Sequence, residues 1–112
     1  MYKFSGSFIY LSDIHKLNFL QRAILIHSYL YYEQDVSIIS DKQFDDICRQ
    51  YMDLVQNFSE QSVVNESEYG YVFYDFDGST GFHLWDRLID HDKEKVQLIA
   101  EHIYIHYLKE KR

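Results

Sequence analysis

A chain of 112 residues, 46% of them hydrophobic, has room for one thin core and is no disordered tail. It is too short, and lacks the motifs, to hold a complete nucleotide-using enzyme. A formal net charge of -7 excludes the nucleic-acid backbone as the main partner, because phosphates call for Lys and Arg; it permits a cationic protein partner or a mimic of DNA charge.

In chain order, Phe8, Ile9 and Tyr10 suit a short edge strand or a docked arm, and Ser12 or Asp13 then offers a helix cap. Ile14, Leu17, Leu20, Ile24, His27 and Tyr31 recur at helical spacing. Phe19, Ala23, Ile26 and Leu30 widen that stripe, so a helix over residues 13–33 is expected to be buried on much of its circumference. Residues 34–40 break the pattern. Ser40 or Asp41 caps a second helix whose acidic opening complements the helix dipole. Its apolar face is Phe44, Ile47, Cys48, Tyr51, Leu54, Val55 and Phe58. The short joint makes an antiparallel hairpin the expected arrangement.

Residues 59–70 are polar and read as loop. The β-branched and aromatic run at 71–76 reads as a strand, followed by turn chemistry over 77–81. Phe82, Leu84, Trp85, Leu88 and Ile89 suggest a short helix. Asp90 or Asp92 caps a last helix over 93–109, with Val96, Ile99, Ala100, Ile103 and Tyr107 as its stripe. The reading is a single, mainly α domain. A helical hairpin over 13–59 is followed by a β/turn segment over 69–81, with a short strand or β-hairpin near 69–78. C-terminal helices over 82–109 pack on the hairpin.

Cys48 is the single cysteine, so one chain has no disulfide framework, which suits a reducing compartment. The opening MYKFSGSFIY lacks the apolar core of a signal peptide, and no stretch approaches the roughly 20 apolar residues of a membrane span. A cytoplasmic location, with no membrane and no direct nucleic-acid contact, is the expectation. The six histidines follow no zinc spacing; His102 and His106 share a helix face but make only two ligands. No catalytic or metal residue is assigned.

The stretch HSYLYYEQDVSIISDKQFDD, residues 27–46, carries the clearest signal. Tyr31, Asp35, Ile39, Asp41 and Asp45 stand at the spacing Y-x-x-x-D…I-x-D-x-x-x-D, with Tyr29 upstream. This joint resembles the helical hairpin that opens NAD-dependent DNA ligases, where it grips the nicotinamide mononucleotide half of NAD. The resemblance covers about 20 residues and implies Tyr31, Tyr32, Asp41, Phe44 and Asp45 as ligand contacts, with nicotinamide mononucleotide or NAD as ligand and no required cofactor. Three positions depart from the family: Tyr32 replaces a usual His that helps hold phosphate, Phe44 replaces a usual Tyr, and Ser37 replaces the loop proline. The adenylating K-x-D-G motif is missing, so the resemblance implies a non-catalytic, stand-alone domain of the kind carried by phages and mobile elements in bacterial hosts. The residue types are coherent with such a ligand. A flat cationic ring stacks on Tyr31 or Phe44, and Asp41 and Asp45 share a helix face. Plain capping and core packing account for the same residues equally well.

Two further readings stand beside it. An acidic, tyrosine-rich surface suits a phage-encoded inhibitor or adaptor of a host protein such as a defence nuclease, anti-CRISPR-like or DNA-mimicking. The run VFYDFDGST, residues 72–80, resembles the first motif of haloacid-dehalogenase-type phosphatases, with Asp75 as nucleophile and Asp77 as acid/base. That motif belongs at the end of a strand in a doubly wound sheet, and only 32 residues follow it here.

Overall fold

The computed structural model describes residues 2–4, 7–9, 11–56, 67–78 and 83–110. Two short strands, β1 (Tyr2–Phe4) and β2 (Ser7–Ile9), pair antiparallel with Tyr2 opposite Ile9 and Phe4 opposite Ser7. They lead into α1 (Leu11–Ser28), which runs on as a π-helical segment, Tyr29–Glu33. After the joint come α2 (Asp41–Gln56), the single-turn α3 (Gly70–Phe73), the single-turn α4 (Leu84–Arg87) and the long α5 (Asp90–Glu110). The fold is mainly α, with the helical hairpin and C-terminal helix expected from the periodicity.

Helix α1 lies at the centre. It packs against α2 on one side and against α4 and α5 on the other. That placement explains its apolar circumference: Leu17, Leu20, Ile24, Leu25 and Ile26 are all buried. Two members of the expected stripe are exposed, Phe19 at 64% and Tyr31 at 51%, while Ile14, Ala23 and His27 are half-buried. For Tyr31 the reason is the π segment. Its wider turn breaks the α phase set by Ile24 and His27, and it buries Tyr29 and Leu30 instead. Helix α1 also starts before Ser12 and Asp13, which therefore lie in its first turn and do not cap it.

Helix α2 is amphipathic, with Cys48, Tyr51 and Leu54 buried and Lys42, Arg49, Gln50 and Asp53 exposed. Helix α5 buries Val96 and Ala100, with Ile99, Ile103 and Tyr104 half-buried against the core. It begins at Asp90, so Asp90 and Asp92 form its acidic first turn; the Lys93 N–H bonds to the Ile89 carbonyl at 2.9 Å. Trp85 is a core residue, its ring 4.5 Å from that of Tyr29. Phe58, Phe82 and Tyr10 lie outside the described residues, as do residues 59–66 of the expected loop and 79–81 of the expected turn.

The strand expected near 69–78 is not formed. Residues 69–76 instead make consecutive tight turns around α3, with Val72 N–H and Phe73 N–H both donating to the Tyr69 carbonyl (2.9 and 3.1 Å) and Phe76 N–H to that of Phe73 (3.1 Å). The buried side chains are those of Tyr69, Val72 and Phe73, beside the buried Gly70 and with Phe76 packed behind them, whereas Tyr71, Tyr74 and Asp75 are exposed. That spacing of three, four and seven is helical, not alternating. Aromatic residues on both faces hid the period.

The turn is fastened to α1 by side chains. Gln21, 0% exposed, accepts a hydrogen bond from the Tyr69 N–H at 3.1 Å through its carbonyl oxygen. Its amide donates to Ser67 Oγ at 2.8 Å and reaches Tyr51 Oη at 3.5 Å. Asn18, one turn earlier, accepts from the Glu68 N–H at 3.1 Å. Buried polar groups need partners, and here they also hold residues 67–69 in place.

No helix of the described residues is long and apolar enough to cross a membrane.

Candidate functional site

The joint between α1 and α2 is shaped by its own hydrogen bonds. The π segment ends at Gln34, and Asp35 takes a positive φ of 53°. Asp tolerates the left-handed region better than most residues. The Val36 N–H then closes back on the Leu30 carbonyl at 2.8 Å, a Schellman-like end widened to suit the π turn. Ser37 Oγ donates to the Ile39 carbonyl at 2.8 Å, so a hydrogen bond sets the loop where a proline is absent. Ser40 and Gln43 form a reciprocal capping box: the Ser40 N–H donates to Gln43 Oε1 at 2.8 Å and the Gln43 N–H to Ser40 Oγ at 3.1 Å. The expected cap at Ser40 is therefore present, and its S-x-x-Q spelling was the signal for Gln43.

These turns enclose a cavity of about 310 Å³. All five residues implied by the ligase resemblance line it: Tyr31, Tyr32, Asp41, Phe44 and Asp45. Tyr31 and Tyr32 meet edge to face with centroids 4.9 Å apart. Asp41 and Asp45 are exposed, one turn apart on α2, and neither has an ion-pair partner among the described residues. The sequence reading missed the rest of the wall: His27, Ser28, Val36, Ser37, Ile38, Ile39 and Ser40. His27 and Ser28 were hidden because they follow the α1 stripe, where the helical period assigns them to the core. Burial holds the His27 imidazole below its ordinary value of 6.5, so it is uncharged near neutral pH. Ser28 Oγ is closed to solvent and has no hydrogen-bond partner among the described residues.

A second, shallower hollow of about 280 Å³ shares Asp45 and is lined by Cys48, Arg49, Met52, Asp77 and Gly78. Arg49 pairs with Asp46 at 3.4 Å. Burial, with the Asp45 charge adding to it, pushes the Cys48 thiol up to about 11, so this cysteine is unreactive at neutral pH.

The Asp75–Asp77 motif has a different setting. Helix α3, not a strand, precedes it. Arg87 grips Asp75 with two nitrogens, Nη1 to Oδ1 at 2.5 Å and Nη2 to Oδ2 at 3.2 Å, and also donates to the Val72 carbonyl at 2.9 Å. The Arg87 hydrogen bonds hold the Asp75 carboxyl below its ordinary value. A carboxylate so engaged is part of a structural clasp, and the strand-end context of the phosphatase motif is missing. On α5, His102 and His106 face each other with Nε2 atoms 3.1 Å apart. Among the described residues, no group of three or more His, Cys, Asp or Glu could hold a metal ion.

Comparison with family models, with curated proteins and with solved structures gave no match.

Proposed function

We propose that this chain is a non-catalytic binding domain, similar to the nicotinamide-mononucleotide-binding domain of NAD-dependent DNA ligases, that takes a nicotinamide nucleotide in the α1–α2 joint. The observation that carries this reading is convergence: the five residues implied by the resemblance to the ligase joint line one cavity of ligand size. Tyr31 and Phe44 offer ring faces to a cationic pyridinium. Asp41 and Asp45 offer acceptors for ribose hydroxyls. Ligand-observed NMR with nicotinamide mononucleotide, NAD and AMP is the test. Saturation transfer to the nicotinamide protons in the wild type, absent in Asp41→Ala/Asp45→Ala, is the expected result. Silence from all three ligands with a folded sample would sink the proposal.

A second reading, an acidic adaptor or inhibitor acting on a host protein, is favoured by a separate feature. Leu98, Ile105 and Leu108 stand exposed along α5, on a chain of net charge -7. Exposed apolar side chains rimmed by charge suit a protein partner. A partner captured by the wild type and lost on Leu98→Glu/Ile105→Glu would support it; capture unaffected by the pair would not.

A further inference from the structure

The cavity at the joint has an unbalanced chemistry. Among the described residues that line it there are two carboxylates, Asp41 and Asp45, and no lysine or arginine. Its one basic side chain, His27, is uncharged near neutral pH because of burial. A helix N-terminus can substitute for basic residues by offering free N–H groups to a phosphate. At α2, the third of those groups, the Gln43 N–H, is already given to Ser40 Oγ, and Asp41 opens the helix with its own negative charge. The nearest arginine along the helix, Arg49, is paired with Asp46 and lines the neighbouring hollow. No lysine or arginine among the described wall residues is there to compensate a phosphate.

What the wall does offer suits a flat cation. Tyr31, Tyr32 and Phe44 supply ring faces, and the carboxylates supply charge.

We infer that the joint selects a phosphate-free, cationic aromatic nucleoside, of which nicotinamide riboside is the simplest example, over the corresponding nucleotide. The inference rests on the pocket reading above and narrows it. The riboside carries one positive charge. The mononucleotide adds a phosphate of roughly -1.5 to -2 at neutral pH and so presents net negative charge to two carboxylates.

The test is a pair of calorimetric titrations, nicotinamide riboside and nicotinamide mononucleotide, each at low and at physiological salt. The riboside is expected to bind at least about tenfold more tightly at low salt, with the gap closing as salt is added. In Asp41→Asn/Asp45→Asn, checked for fold by circular dichroism, riboside affinity drops and the mononucleotide gains or holds. Tyr32→His, which restores a basic group, is expected to narrow the gap from the mononucleotide side. Equal or tighter binding of the mononucleotide by the wild type would overturn the inference and leave the nucleotide reading standing. Binding of neither ligand would overturn both. Riboside binding unchanged in the double variant would overturn the charge argument.

Discussion

The chain carries two acidic constellations built from nearly the same residues, and the structure uses them differently. In the joint, Asp41 and Asp45 stand among Tyr31, Tyr32 and Phe44 with no ion-pair partner among the described residues. In the clasp, Asp75 stands beside Tyr74 and Phe76 and is held by Arg87, whose guanidinium also lies 4.8 Å from the Tyr74 ring centre. The difference teaches where to look for function in a small acidic domain. A carboxylate whose charge is answered within the chain serves the fold, and one left open beside a cavity is available to a ligand. Clasp variants are therefore expected to show in stability and joint variants in binding.

The largest effect is expected where the clasp region meets α1. Gln21→Leu leaves the Tyr69 N–H and Ser67 without their buried partner and is expected to destabilise by about 3 kcal/mol, read by denaturant unfolding. Gly78→Ala follows. Gly78 has a φ of +84°, and an added Cβ would lie 2.9 Å from Met52 Cγ. Met52 can swing aside, so the backbone sets the loss, about 1–2 kcal/mol in the same experiment. Arg87→Ala strips the Val72 carbonyl of its donor, and a loss of about 1 kcal/mol is expected from that carbonyl; the solvent-facing pair with Asp75 adds little.

Acid separates the two regions by order. His27 has a lowered value, so its neutral form belongs to the folded state. The stability it contributes is complete above 6.5 and is lost as pH falls through the lowered value. Asp75 is also lowered, but from 3.8, and its contribution persists until pH falls through a value below that. Amide chemical shifts followed through an acid titration should therefore move in the joint before the clasp. The reverse order would break the comparison. The smallest effect is expected from Asp41→Asn/Asp45→Asn, which should leave stability within about 0.5 kcal/mol of the wild type; a larger loss would mean that these carboxylates serve the fold after all.

Much of this was legible in the residues. The hairpin and its joint follow from helical period and a cap, and five of the residues that line the candidate pocket are those implied by the resemblance to the ligase joint. Three things were not. The segment at 69–76 reads as a strand because Tyr71 and Tyr74 are as aromatic as the buried Tyr69 and Phe73. Tyr71 faces outward, its hydroxyl donating to Asp92 at 2.5 Å and accepting from the Ile89 N–H at 3.3 Å, and contacts of this kind, distant in sequence, tell the faces apart. Gln21 is polar within an apolar stripe, and no local pattern reveals that its partners lie 30 to 48 residues away. The wall residues His27 and Ser28 obey the core period and gain access to the cavity only because the helix changes its winding just after them.

That change of winding has a consequence for how such a cavity can arise or vanish. Tyr29–Glu33 holds a turn wider than an α-helix needs. Deleting a residue of the segment after Tyr31 would let the α winding continue and return Tyr31 to the inward stripe with Ile24 and His27. An aromatic wall that depends on a single surplus residue can be gained or lost by one insertion or deletion, with the rest of the sequence untouched.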